Sequence, residues 1–420
     1  MKLHCDITLP ASKSESNRVL MIAAYGGFTP DVQNLSESND TKVLKEALEL
    51  CCAYRTENFV SIDTLTPLSF GMTCSQNPKR IYAQQTIDIA DSGTAARFLT
   101  TYLACHEGHW LLTGTKRMCQ RPMASLVEAL LSLGADIKYV EKEGSLPLQI
   151  NGKPLEGGKV SIDMTQSSQF ASSLLLAAPM WSQGLEMEML GDLSSLPYLD
   201  MTLVMMQHFS ARVERVGRTI IVKPTPYQSR PFTIEPDWSA ASYWYEMAAF
   251  SEECEIRLRG LGGPSTFRQA QDSGTASLQG DTVIAEWMQQ LGVGTFVDEN
   301  DVVLKKIPFE KRPLCFDFSQ HPDLYPTVAA ICAGLNVKAT FKGLDNLALK
   351  ESDRVAAMQM ELAKLVDRPI RFSAHNDHRI VMALAPLSML VGPVSFDIPE
   401  VVKKSYPNFW QDASFLPVKR

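Results

Sequence analysis

Seven short segments of the chain bunch small polar residues with cations. In order they are Pro10-Ala-Ser-Lys13-Ser14-Glu-Ser-Asn-Arg18, Asp91-Ser-Gly93-Thr94-Ala-Ala-Arg97 and Arg117-Met-Cys-Gln-Arg121-Pro122. Then come Gln166-Ser167-Ser168-Gln169-Phe170, Lys350-Glu351-Ser-Asp353-Arg354, His375-Asn376-Asp377-His378-Arg379 and Lys403-Lys404-Ser405-Tyr406-Pro407. A serine-rich turn that opens a helix offers free backbone N–H groups and a positive dipole end, which suits an anion. Taken alone, each segment is explained as well by a solvated turn or a plain N-cap at Ser12 or Ser14. Seven of them at successive strand–helix junctions point instead to one face that gathers cations around small, highly charged substrates.

The elements that must carry these segments alternate between strand-like and amphipathic helical runs from end to end, the pattern of an α/β or closely interleaved α+β fold. One composite pattern recurs: a β-rich run ending in glycine, a loop, a helix and a second strand. Its copies are Trp110-Leu-Leu-Thr-Gly114 with helix 122–133 and strand 134–138, Glu255-Ile-Arg-Leu-Arg-Gly260 with helix 281–291, and Ala339-Thr-Phe-Lys-Gly343 with helix 352–365 and a strand near 370–372. They read as divergent copies of one β-α-β unit. A helix is expected over 19–25, just after the first basic segment. Residues 213–222 look like a hairpin, and the stretch 223–237, with Pro224, Pro226, Pro231 and Pro236, is the linker candidate. The polar stretch 262–280 reads as a long surface loop.

Bulk properties narrow the class. With 420 residues, 45% hydrophobic and 21% charged, the chain is globular and long enough for two or three domains. A net charge of −7 argues against a general nucleic-acid or anionic-membrane binder, either of which needs a broad cationic surface. The start of the chain shows no apolar signal core, and the most apolar stretches, 170–181 and 382–394, fall short of the roughly 18 residues a membrane span requires. Nine scattered cysteines without a C-x-x-C read as thiols in a reducing compartment, so a cytoplasmic protein is expected. The histidines form no H-E-x-x-H and no ligand-spaced pairing with cysteine, and no metal is expected.

In their order and spacing the seven segments resemble those of the 5-enolpyruvylshikimate-3-phosphate synthases, from about residue 9 to about residue 410. That family carries P-G-S-K-S-x-S-N-R, N-A-G-T-x-x-R, R-x-x-x-R-P, S-S-Q-F, K-E-S-D-R, D-H-R and a lysine before an aromatic-Pro segment. The resemblance implies an enzyme of chorismate and aromatic amino acid biosynthesis, the glyphosate target. It would move the enolpyruvyl group of phosphoenolpyruvate to the 5-hydroxyl of shikimate 3-phosphate without a cofactor. It also implies a monomer of two domains, each of three β-α-β-type repeats with inner helices and outer sheets. Residues 1–11 and 236–420 would form the first domain and 12–235 the second, with a hinge near Ala11 and Pro236 and the active site in the cleft. Carried over position by position, shikimate 3-phosphate would meet Lys13, Ser14, Arg18, Ser167, Ser168, Gln169, Ser195, Asp323, Asn346 and Lys350. Phosphoenolpyruvate would meet Lys13, Gly93, Thr94, Arg121, Gln169, Arg354, Arg379 and Lys404. Asp323 matches the base on the hydroxyl and Glu351 the group that moves protons at the pyruvyl methylene, with Lys13 beside them. Before ligands arrive, like charges facing across the cleft are expected to repel. Ala11 stands where the family has glycine, and Asp91-Ser92 where it has Asn-Ala. The segment 264–277 reads as an insertion.

Three other readings compete. Asp91-Ser-Gly-Thr-Ala recurs at Asp272-Ser-Gly-Thr-Ala, the paired signature of aspartic proteases. A helix-rich chain and a polar approach to the second copy argue against it. An enolpyruvyl transferase acting on UDP-N-acetylglucosamine would share the fold and place a loop cysteine near Cys119, but Arg18 and the 350–354 motif fit the shikimate enzyme better. A non-catalytic homologue would not need both Asp323 and Glu351.

Overall fold

The computed structural model describes residues 1–57, 84–264, 277–366 and 369–419. The second Asp-Ser-Gly-Thr-Ala copy and most of the 264–277 segment lie outside the described residues. Among the described residues three four-stranded sheets share one topology, in which the first two strands in sequence pair in parallel and a hairpin then adds antiparallel to the second. One sheet consists of strands Gln85–Asp88, Gly108–Thr113, Leu148–Gly152 and Asp136–Tyr139, in that spatial order. The second consists of Gly158–Asp163, Leu185–Leu190, Thr219–Val222 and Val213–Val216. The third consists of Lys2–Ile7, Glu253–Leu258, Asp301–Lys306 and Val293–Asp298.

The repeating unit is therefore β-α-β-α-β-β, longer than the β-α-β read from the sequence. In the first two copies, the strands flanking the helix are not neighbours, because the last strand of the unit slots between them. The third copy spans two sheets: Ala339–Lys342 pairs with Leu314–Asp317, and Ile370–Phe372 with Val394–Phe396. The reading stopped early because each closing hairpin is short and half polar. The 213–222 hairpin is present.

Among the described residues six helices fill the interior: Lys13–Gly26, Gly93–Cys105, Ser168–Ala177, Trp238–Phe250, Tyr325–Gly334 and His378–Leu384. Small and apolar residues on every side let them be covered all round, as a buried helix requires. Every residue of Trp238–Phe250 is buried. Outer strands such as Leu185–Leu190 alternate instead, with one face buried and Glu186, Glu188 and Leu190 on the more open one. The first helix starts at Lys13, six residues earlier than expected. Ser12 caps it, its Oγ accepting from Glu15 N at 3.4 Å. The polar run 13–18 disguised the start, since Ser16, Asn17 and Arg18 are buried rather than solvated, Ser16 accepting from Ser36 N and Arg18 donating to Thr202.

Two hydrophobic cores result. One gathers residues from Ala11 to Ile234, the other Leu3, Ile7, Leu9 and residues from Trp238 to Leu416. The chain passes between them twice, and the two crossings pair: Ala11 bridges Pro236, Ser12 N donates to Glu235 O at 2.8 Å, and Asp237 N to Pro10 O at 2.9 Å. Among the described residues no helix is long and apolar enough to cross a membrane.

Glu246, in the middle of the Trp238–Phe250 helix, is fully buried, and neither carboxylate oxygen has a hydrogen-bond partner. Burial pushes its pKa well above 4.5. The folded protein keeps the proton where the unfolded chain releases it, so stability is full below pH 4.5 and falls as pH rises toward the folded pKa. Glu246→Leu is expected to add about 1–3 kcal/mol, the cost of an unpartnered buried polar group. Melting scans from pH 5 to 8 should show a gain that grows with pH; a lower melting temperature at pH 8 would refute this account.

Candidate active site

Four of the seven basic segments open inner helices, at Lys13, Gly93, Ser168 and His378; the other three lead toward Ala124–Ser132, open Arg354–Ala363, or close the 3-10 turn Pro399–Lys404. Ser12, Ser92, Ser167, Asp237 and Asp377 are the N-caps of five of the inner helices, each accepting a backbone N–H of the first turn. The Tyr325 helix is entered through the Pro322–Leu324 turn, which carries Asp323. Unpaired N–H groups and positive dipole ends thus converge from both cores. Lys13, Gly93, Thr94, Arg121, Gln169, Asp323, Lys350, Glu351, Arg354 and Arg379 line one cavity there, together with Asp40 and His378.

That cavity measures about 40 Å³, because the protein's own carboxylates lie against the cations. Arg354 donates to three of them: Nη1 to Asp323 at 2.8 Å, Nη2 to Glu351 at 2.9 Å and Nε to Asp377 at 2.8 Å. Arg379 Nη2 donates to the other oxygen of Asp323 at 2.6 Å. Lys13 pairs with Asp40 at 3.0 Å. Lys404 donates to Asp91 Oδ2 at 2.7 Å and Asp91 O at 2.9 Å, and stands 3.4 Å from Glu351. Arg121 lies 3.8 Å from Glu351. Gln169 Nε2 donates to Thr94 Oγ1 at 3.1 Å. Like charges do face across the cleft, as Arg121 does Lys350, but carboxylates are interleaved: Asp91 and Arg121 from one core meet Lys404 and Glu351 from the other. A larger cavity, about 740 Å³, is lined by Leu278, Val283, Phe296 and His321 but, among the described residues, by no lysine or arginine.

The charges set the protonation states. Burial pushes Asp323 up, but Arg379, Lys350, Arg354 and Lys13 outweigh it and hold the carboxylate far below its usual range. Burial likewise opposes ionisation of Glu351, and Lys404, Arg121 and Arg354 reverse it. Lys350 is shifted down, by burial first and then by Arg354 and Arg121. Burial, Arg379 and Lys13 hold His378 neutral. Asp323 keeps 22% of its side chain accessible, which leaves an approach for a hydroxyl.

Several expected site residues lie off this cavity. Arg18 is spent within its own half, its Nε donating to Thr202 at 2.7 Å, Nη1 to Ser14 O at 2.8 Å and Nη2 to Tyr198 O at 2.9 Å. Ser167 Oγ accepts from Gln169 N, and Ser168 is buried in the first turn. Asn346 donates to Ser194 Oγ at 3.0 Å, beside Ser195, whose N–H donates to Ser319 O. Asp40 and Asp377 were missed. An N-cap carboxylate before an apolar run was a readable signal for Asp377. Asp40 gave none, since its partner is 27 residues away. Cys119 donates to Gly114 O within its own loop.

Asp91 opens the approach to a helix rather than a strand loop, which removes the protease reading's geometry. Fold and site together define a two-domain α/β protein whose helix N-termini bring paired cations and carboxylates to one cavity. Solved structures agree on the architecture. The EPSP synthase from Acinetobacter baumannii matches with a TM-score of 0.65 at 19% identity, over 99% of this chain and 96% of that one. The enolpyruvyl transferase NikO from Streptomyces tendae matches with a TM-score of 0.60 at 14% identity, over 99% and 95%. The family model for EPSP synthase (3-phosphoshikimate 1-carboxyvinyltransferase) matches residues 1–367. A 3-phosphoshikimate 1-carboxyvinyltransferase of Bacteroides fragilis is 38% identical, over 98% of this chain and 95% of that protein. One from Sulfurovum is 32% identical, over 97% and 95%. The chain belongs to the EPSP synthase family.

Proposed function

We propose that the protein transfers the enolpyruvyl group of phosphoenolpyruvate to the 5-hydroxyl of shikimate 3-phosphate, releasing phosphate. The observation that carries this reading is the meeting of helix N-termini and paired cations around two carboxylates, Asp323 and Glu351. Two phosphates and two carboxylates must lie side by side in the substrates, and only such a cluster cancels their repulsion. Substrate anions would replace the protein's carboxylates on Arg354, Arg379 and Lys404. Asp323, released from its arginines, takes the hydroxyl proton as the oxygen bonds to C2 of phosphoenolpyruvate. Glu351, which takes up a proton once substrate anions replace it on Arg354 and Lys404, delivers that proton to C3, giving a tetrahedral adduct. As a carboxylate again, it takes a proton back from C3 while phosphate leaves C2, which restores the alkene. Lys13, Gln169 and Lys350 would hold shikimate 3-phosphate, with Ser14, Arg18, Ser167, Ser168, Ser195 and Asn346 flanking it. Lys13, Gln169, Gly93, Thr94, Arg121, Arg354, Arg379 and Lys404 would hold phosphoenolpyruvate. The domains divide as 1–11 with 236–420 and 12–235, a reading supported by the two cores and the paired crossings. The enzyme works as a cytoplasmic monomer.

Phosphate release from phosphoenolpyruvate tests the reading, with shikimate 3-phosphate and UDP-N-acetylglucosamine as rival acceptors. Turnover with the first alone is expected; turnover with the second alone would overturn it. A finer prediction concerns Gly93. A Cβ there would collide with Arg121 Nη1 and stand 2.9 Å from Arg97 Nη1. The flexible guanidinium can yield, so Gly93→Ala should fold normally while displacing Arg121. The Michaelis constant for phosphoenolpyruvate should rise roughly 10–100-fold, the worth of one hydrogen bond to a charged group. An unchanged constant would show that Arg121 does not touch this substrate.

A further inference from the structure

Four consecutive carbonyls of one core point at two arginines of the other. The short 3-10 helix Asp345–Leu349 ends immediately before Lys350 and Glu351, and Asp353 caps the following helix, Arg354–Ala363. The carbonyls at such an end have no partner within the helix and carry its negative pole. Here they find partners across the cleft. Arg117 Nη2 donates to Ala348 O at 3.0 Å and Lys350 O at 2.8 Å, and Nε to Glu351 O at 3.1 Å. Arg121 Nε donates to Leu349 O at 3.2 Å.

Arg117 does not line the narrow cavity between the helix ends. Its three bonds go only to main chain, and the chain it holds is the link that carries Lys350 and Glu351. We propose that Arg117 is a positioning residue for the transfer reaction. It acts as a latch that grips the 348–351 carbonyls when the lobes meet and so sets Lys350 and Glu351 over the cavity. The planar fork of the guanidinium spans three acceptors at once; an ammonium is a point donor and cannot. Coupling the grip to the lobes' meeting means that Glu351 is placed only when Arg121, on the same loop, is in place too. The latch rests on the proton-transfer role given to Glu351 above.

Arg117 is only half-buried and joins no hydrophobic core, so its variants should fold. Arg117→Ala and Arg117→Lys are both expected to lower kcat by about 10–100-fold, the scale of a small misplacement of reacting groups. The Michaelis constants should move far less, and the melting temperature should hardly change. In the Glu351→Gln background, Arg117→Ala should cost little more, since both changes disable one group. With both substrates bound, hydrogen exchange at the 350–353 amides should quicken in both Arg117 variants. Full multiplication of the two kcat losses, a wild-type kcat in Arg117→Lys, or unaltered exchange would each overturn the latch. A nearly wild-type Glu351→Gln enzyme would sink the role given to Glu351 instead, and the exchange measurement would still judge the latch.

Discussion

Asp323→Asn and Glu351→Gln are each expected to keep substrate affinity within a few-fold and to lose roughly 10²–10⁴ in kcat, the range typical of positioned acid–base groups. The structure adds a condition to this. Asp323 accepts from Arg354 and Arg379 at once, and their charges hold it far below the range in which a carboxylate is a useful base. Its basicity must come from losing those partners to the anions of the substrates. The pH profile carries the consequence. In kcat/KM, which reports the free enzyme, the carboxylates stay ionised well into acid. In kcat, which reports the loaded enzyme, Asp323 is less held down, so the acid limb, where this base is lost, should lie at higher pH. Coincident acid limbs would refute the exchange of partners. Turnover within a few-fold of wild type in both variants would refute the roles themselves.

What could be read in advance follows from where the information is stored. The alternation of strands and helices is local, and so is a cation in the first turn of a helix or in a short basic loop. Lys13, Arg354 and Arg379 could therefore be placed from helix starts and Arg121 from its loop motif, and they do line one cavity. The repeat length was missed because its last two strands look like any polar hairpin until their pairing is known. Arg18 shows the other limit. A buried arginine bound to Thr202 and two carbonyls has the same local sequence as one that waits for a phosphate. The difference lies about 180 residues away in the chain, at Tyr198 and Thr202. Asp40 and the carbonyls of 348–351 were invisible for the same reason: side chains far apart in sequence give them their role.

Lys404 should give the largest loss of affinity. It is 3% exposed, and its charge is answered by Asp91 and Glu351. Burial works against the ammonium, but these carboxylates and Asp40 keep its pKa above the ordinary lysine value, so it is a full cation at any working pH. Removing one partner of a buried, hydrogen-bonded charge pair costs about 2–5 kcal/mol. Lys404→Ala should therefore raise the Michaelis constant for phosphoenolpyruvate by about 30-fold to several thousand-fold. A loss of lobe contact alone would give a similar result, and Asp91 separates the two explanations. Asp91 stands on the opposite lobe and competes with any incoming anion for Lys404. If Lys404 binds phosphoenolpyruvate, Asp91→Asn removes the competitor and the Michaelis constant should fall, while Lys404→Ala raises it. If Lys404 only fastens the lobes together through Asp91, both variants should weaken binding. Steady-state kinetics with shikimate 3-phosphate held saturating reads the sign directly. A rise in both variants would withdraw Lys404 from the substrate and leave it as a tie between the lobes.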